Sequence, residues 1–141
     1  KTLSFRTFVI VGDQKGQVSY GLGKSKEVPV SIQKAMSSAK RNLSKIFLNK
    51  GSVPHEVRGK FCSSKVVIRP AGEGTGVIAG GAVRILLESV GLKDVVAKSY
   101  GSRNVINSVK AAMLALEQCR DFNEECHVRG KKLPVYIEKQ D

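Results

Sequence analysis

The run Gly72–Gly81 (GEGTGVIAGG) sets five glycines in ten positions just ahead of a helix-like segment. Glycines let a backbone approach a ligand closely, and amides at a helix N-terminus attract anions. The run therefore predicts a phosphate-binding loop over Gly74–Gly81. It is not a Walker A loop, because no Gly-Lys-Ser/Thr terminates it. It also lacks the strand-to-acid arrangement of a dinucleotide fingerprint. A small-molecule kinase would need metal-holding carboxylates and a base beside the phosphate. Glu73, Glu88 and Asp94 are near, but Glu88 is spaced to pair with Arg84 at i, i+4. Cys62 follows His55 by seven residues, with no third group to orient a nucleophile–base pair. Both histidines read as surface residues. Cys119, Cys126 and His127 fall short of four zinc ligands in recognisable spacing. No catalytic residue, metal or cofactor is assigned. A nucleotide-dependent kinase using Gly72–Gly81 stands as the second reading, and an RNA backbone, which asks for amides and cations alone, as the first.

The cations are abundant. Lys plus Arg number 24 against 12 Asp plus Glu, a formal charge of +12 on 141 residues. Such an imbalance calls for an anionic neighbour: nucleic acid, an acidic membrane surface or an acidic protein. No apolar run approaches the ~20 residues of a membrane-spanning helix, and no secretory signal is visible. The sequence begins at Lys1, so the first strand and loop of the unit are expected upstream. Apolar residues at 41% supply a core and argue against a disordered basic tail. Three cysteines without a C-x-x-C pair point to a reducing compartment.

The elements that must position these groups follow from periodicity. Leu3–Val11 reads as a strand, Asp13–Gly16 as a turn and Gln17–Leu22 as the return strand of a hairpin. The run GLGKSKEVP then turns into a helix with Pro29 in its first turn. Ile32, Ala35, Met36, Ala39, Leu43, Ile46 and Phe47 predict one apolar face, with Lys34, Arg41 and Lys45 together opposite. No acidic residue occurs from Val28 to His55, which favours phosphate contact over an ordinary mixed-sign solvated face. Asn49–Ser52 reads as a linker. Val53–Phe61 and Lys65–Arg69 are strand-like, and a helix after the glycine run buries Val83, Leu86, Leu87 and Val90 before Gly91 caps it. Asp94–Ser99 is a short strand and Tyr100–Asn104 a turn. A last helix over about Asn104–Arg120 buries Ile106, Val109, Met113 and Leu116. The order β-β-α, then β-β-α-β-α, defines an α+β chain.

Two long stretches are more specific. VIVGDQKGQVSYGLGKSKEVPVSIQKAM and PAGEGTGVIAGGAVRILLESVGLKDVVAKSYGS resemble the two halves of the fifth protein of the bacterial-type small ribosomal subunit. The match continues through Asn104, Asn107 and VKAAMLAL, so it covers Leu3 to Arg120. The resemblance implies a first domain like the double-stranded RNA-binding fold, a β-β-α unit. It implies a second β-β-α-β-α domain with a left-handed crossover. It further implies small-subunit rRNA binding and contacts with the fourth and eighth proteins of the subunit. Members help line the channel through which messenger RNA enters, support assembly and decoding accuracy, and catalyse nothing. Gly21, Gly23, Lys24 and Glu27 match the family's glycine–lysine turn. Gly74, Thr75, Gly76, Gly80 and Gly81 match the second loop, and Gly101, Ser102 and Asn104 the third turn. Ser19, Leu22 and Val105 depart from the usual glycine, aromatic and proline; Ser19 is expected to alter the approach of its strand to RNA.

The expected organisation is residues 1–52 as the double-stranded-RNA-binding-like domain, 53–120 as the second domain and 121–141 as an extended tail. Lys1–Ser52 holds 10 basic and 2 acidic residues, and Val53–Arg120 10 and 5, whereas Asp121–Asp141 holds 4 and 5. The first domain is therefore expected to be the more deeply embedded in RNA. The candidate RNA-binding residues are Lys24, Lys26, Lys34, Arg41, Lys45 and Lys50 in the first domain. Gly74, Thr75, Gly76, Arg84, Lys98, Ser102, Arg103 and Asn104 are those of the second. The setting is a ribosome in bacterial cytoplasm or an organelle matrix or stroma.

Overall fold

The computed structural model of the chain describes residues 3–120 and 127–130. The aromatic and β-branched run at the start forms β1 (Phe5–Gly12), antiparallel to β2 (Gln17–Ser25). Their turn is closed by Asp13, whose Oδ1 accepts from the amides of Lys15 at 2.7 Å and Gln17 at 3.0 Å. Gly21, Gly23 and Lys24 are strand residues rather than part of a turn, because β2 continues to Ser25. Helix α1 (Val28–Arg41) starts with Pro29 in its first turn and crosses this hairpin. A two-residue strand, β3 (Ser44–Lys45), completes a sheet of order β1-β2-β3.

The apolar face expected on α1 is only partly the one buried. The helix ends at Arg41, so Leu43, Ile46 and Phe47 lie beyond it. Within it Ser31, Ala35 and Ala39 are buried, while Ile32 and Met36 are each 39% exposed. The cause is close approach: a Cβ at Gly21 would overlap the Ala35 carbonyl, and one at Gly23 the Ser31 carbonyl. Small residues must therefore face the sheet, and the larger ones splay aside. Ser31 Oγ donates to the Val28 carbonyl at 2.7 Å, so the Thr7 hydroxyl donates to Ser31 Oγ, also at 2.7 Å. Ser19 shares this face and is buried on it.

The second sheet has order β4-β5-β7-β6, from β4 (Val57–Phe61), β5 (Ser64–Pro70), β6 (Val77–Ile78) and β7 (Val95–Gly101). Only β6, inside the glycine-rich run, lies parallel to its neighbour. Helix α2 (Gly81–Val90) buries Val83, Leu86, Leu87 and Val90, and ends at Gly91 in the left-handed region with φ 108°. Helix α3 (Val105–Leu116) is shorter than expected and packs on β4 and β5. Ile106 is half-buried, and Ala111, Ala112 and Ala115 supply buried contacts in its place. Asn104 caps α3, its side chain accepting from the amides of Ile106 and Asn107. The helix therefore starts normally with Val105 at its first position.

One buried cluster runs through both sheets, joining Val18 and Ile46 to Val53, Val66, Ile68, Leu86, Leu87 and Leu116. Backbone hydrogen bonds reinforce the junction. Gln14 and Gly16 amides donate to the Ser89 and Val90 carbonyls at 3.0 and 2.9 Å. These are C-terminal carbonyls of α2 that the helix itself leaves without donors. Asn49–Ser52 is a tight turn rather than a slack linker, its Gly51 carbonyl accepting from Lys93 and Asp94. Of the expected tail, residues 127–130 form one helical turn instead of extended chain, with Gly130 N donating to the His127 carbonyl. Residues 121–126 and 131–141 lie outside the described part.

Candidate nucleic-acid interface

The glycine-rich loop does not present the free amides expected of it. Gly74 N and Gly76 N both donate to Asp94 Oδ1, at 3.1 and 2.9 Å. Thr75 Oγ1 donates to the Gly72 carbonyl at 2.6 Å. The anion held by these two amides is the chain's own carboxylate, brought alongside by the β6–β7 pairing. Arg84 is likewise engaged, in an ion pair with Glu88 at 3.1 Å. A phosphate meeting this region would find the N-terminus of α2 instead, where Gly80 provides no side-chain cap.

Two open clefts gather five other cations. The first, of about 370 Å³, lies between the first sheet and α3, lined by Arg6, Leu22, Gly23, Lys24, Asn104, Ile106, Asn107 and Lys110. It unites Lys24 and Asn104 with Arg6 and Lys110, which the sequence reading missed. Arg6 stands directly across the β1–β2 ladder from Lys24. Lys110 sits over the Phe61 ring, its Nζ 4.9 Å from the centroid, and has no carboxylate partner among the described residues. The second cleft, about 430 Å³, joins Gly80 and Gly81 at the start of α2 to Lys98, Ser102 and Arg103. Neither lining contains a carboxylate.

The other candidates are dispersed. Lys34 Nζ reaches the Lys24 carbonyl at 3.4 Å, so these two are neighbours. Lys26 is exposed in the link between β2 and α1, and Arg41 is exposed at the end of α1. Lys45 is not on the helix face with Lys34 and Arg41: it belongs to β3, because the chain leaves the helix at Asn42. Lys50 sits in the 49–52 turn with φ 49°, beside a separate cleft that also contains Glu73 and Asp94.

The residues weighed for nucleophilic chemistry have other roles. Burial pushes the half-buried Cys119 thiol up to about 11, keeping it protonated and unreactive at neutral pH. Cys62 is exposed. His55 is not simply on the surface. It is half-buried, and its Nε2 accepts the Arg120 amide at 3.2 Å. The ring proton must then sit on Nδ1, which donates to the Glu56 carbonyl at 3.0 Å. No helix among the described residues is long and apolar enough to cross a membrane.

An α+β scaffold with two clefts rimmed by lysine, arginine and helix ends, and no carboxylate in either lining, suits the class of protein that grips polyanions. Comparison with known proteins narrows this class. Residues 1–47 match the family model described as Ribosomal protein S5, N-terminal domain, and residues 59–129 that described as Ribosomal protein S5, C-terminal domain. The small ribosomal subunit protein uS5 of Aeromonas salmonicida is 53% identical over 133 residues, covering 94% of this chain and 80% of its own. The uS5 of Koribacter versatilis is 50% identical, covering 93% and 78%. That of Gluconacetobacter diazotrophicus is 46% identical, covering 100% and 74%. The chain belongs to the ribosomal protein S5 family, a family of structural, non-enzymatic small-subunit proteins.

Proposed function

We propose that the chain is a non-catalytic constituent of the small ribosomal subunit that holds ribosomal RNA by its phosphate backbone. The observation that carries this reading is the first cleft, where Arg6, Lys24 and Lys110 converge with no carboxylate among the lining residues. Three cations at a junction of the first sheet and α3 suit a folded RNA, whose phosphates come from several directions. The second cleft adds Lys98 and Arg103 beside an uncapped helix start.

The finer assignments belong to the same proposal. Residues 1–52 act as the double-stranded-RNA-binding-like unit, and 53–120 as the second domain, with a left-handed crossover. Residues 121–141 serve as a tail that leans on protein. The fourth and eighth proteins of the subunit are the neighbours, with messenger RNA close by at the channel through which it enters. Assembly and decoding accuracy are the processes served. The ribosome is that of bacterial cytoplasm or of an organelle matrix or stroma. The test is binding to a fragment of small-subunit rRNA as salt is varied. Replacing Arg6, Lys24 and Lys110 together by Gln should lower the slope of log K against log salt by about 2–3. An unchanged slope would remove the cleft from the interface, and failure of the wild-type chain to bind would reject the reading altogether.

A further inference from the structure

The second sheet has a face that no helix among the described residues covers. Strand alternation sends Val57, Gly59, Val66, Ile68, Val95 and Ala97 toward α2 and α3, and the intervening residues to the outside. Register then sets the outer residues in rows. Lys60 lies opposite Lys65, and Lys65 opposite Tyr100; Arg58 lies opposite Val67, and Val67 opposite Lys98. Arg58 and Arg69 share Glu56, at 3.0 and 3.6 Å. Lys60, Lys65 and Lys98 have no ion pair among the described residues. Apart from Lys98 and Tyr100, which also border the second cleft, these residues line neither cleft.

Like charges directly across a ladder destabilise it. The Lys60–Lys65 pair is such a contact, and an anion lying over the sheet would relieve it. Tyr100 ends the row and is 54% exposed. An exposed aromatic among unpaired lysines on a sheet matches the needs of an unpaired RNA strand, whose bases stack while its phosphates meet cations. A duplex hides its bases and could not use the ring. An acidic protein would use the lysines and leave the ring idle.

We infer that this face is a second RNA surface, which takes an unpaired strand with a base stacked on Tyr100 and phosphates at Lys60, Lys65 and Lys98. The inference rests on the RNA-binding reading above and adds to it the kind of RNA and the place. The test uses the full chain with a ten-nucleotide polyuridylate strand and, separately, a blunt RNA duplex. All substitutions are at exposed positions, and circular dichroism checks that each variant keeps its fold. Lys60→Gln/Lys65→Gln/Lys98→Gln should lower the salt slope for the single strand by about 2. Tyr100→Ala should weaken the single strand about tenfold or more while leaving the duplex unchanged. If the wild type binds neither RNA, the broader reading falls. If it binds both and the sheet variants change nothing, this inference alone is overturned. Competition by polyglutamate as effective as by an equally charged RNA strand would also overturn it, in favour of an acidic protein.

Discussion

Asp94 occupies the place that a phosphate would take in the glycine-rich loop. The composition of Gly72–Gly81 predicts a loop whose amides hold a phosphate, whereas two of those amides hold a carboxylate that the chain itself supplies 18 to 20 residues later. Nothing in the spacing reveals this, since the contact exists only once β6 pairs with β7. Asp13 was readable, because a turn residue that bonds its own backbone acts within a few positions. Its carboxyl is held below the ordinary carboxylate range by the Lys15 and then the Gln17 amide, and Glu56 is lowered by Arg58. A depressed folded pKa gives stability that is present above the unfolded value and lost as pH falls through the folded one. The melting temperature should therefore drop as pH falls below the ordinary carboxylate range. Asp13→Asn should show a shallower drop when thermal unfolding is followed across that acid limb.

At the level of the element, three helices reach their sheets through glycine. Gly21 and Gly23 admit α1, Gly12 meets α2 at Ser89, and Gly59 meets α3 at Ala111. Periodicity located each helix and put Ala35 and Ala39 of α1 on the buried face, yet it also sent Ile32 and Met36 there, because pattern reading sends the largest apolar residues inward. Here the sheet offers no side chain at the crossing, so alanine and serine make the contact and Ile32 and Met36 lie at its flanks. The same logic separates two kinds of glycine. A Cβ at Gly59 overlaps the Ala111 carbonyl, whereas one at Gly72 meets nothing within 4 Å. Gly59→Ala should cost about 1–3 kcal/mol in urea unfolding, and Gly72→Ala about 0.5 kcal/mol or less. Equal effects would contradict the packing described. The short strands β3 and β6 were beyond reach of sequence reading, since two residues carry no period.

Across the whole molecule, charge and core are organised differently. The basic excess was visible from composition, but its grouping was not. Arg6 and Lys110 are far apart in sequence and meet because α3 lies beside the first hairpin. The alternation that exposes Lys60 and Lys65 was present in the strands, though only the register places them opposite each other. The core, by contrast, crosses both sheets, with Val18 and Ile46 in the same buried cluster as Leu86 and Leu87. Calorimetry should accordingly show a single heat-absorption peak for the chain, its calorimetric and van't Hoff enthalpies agreeing. Two separated peaks would mean that the sheets melt independently.

The hydrogen bonds from Gln14 and Gly16 to Ser89 and Val90 have a bearing on how the molecule is made. Synthesis runs from the first hairpin toward α2, so the hairpin tip leaves the translating ribosome some seventy residues ahead of its acceptors. During that interval its amides and the apolar side of Val18 have water as their partner. The early half of the chain therefore waits, incompletely sealed, until Gly91 has emerged. A pause in elongation before Gly91 has emerged would prolong that exposure, whereas one after its emergence would leave the junction already closed.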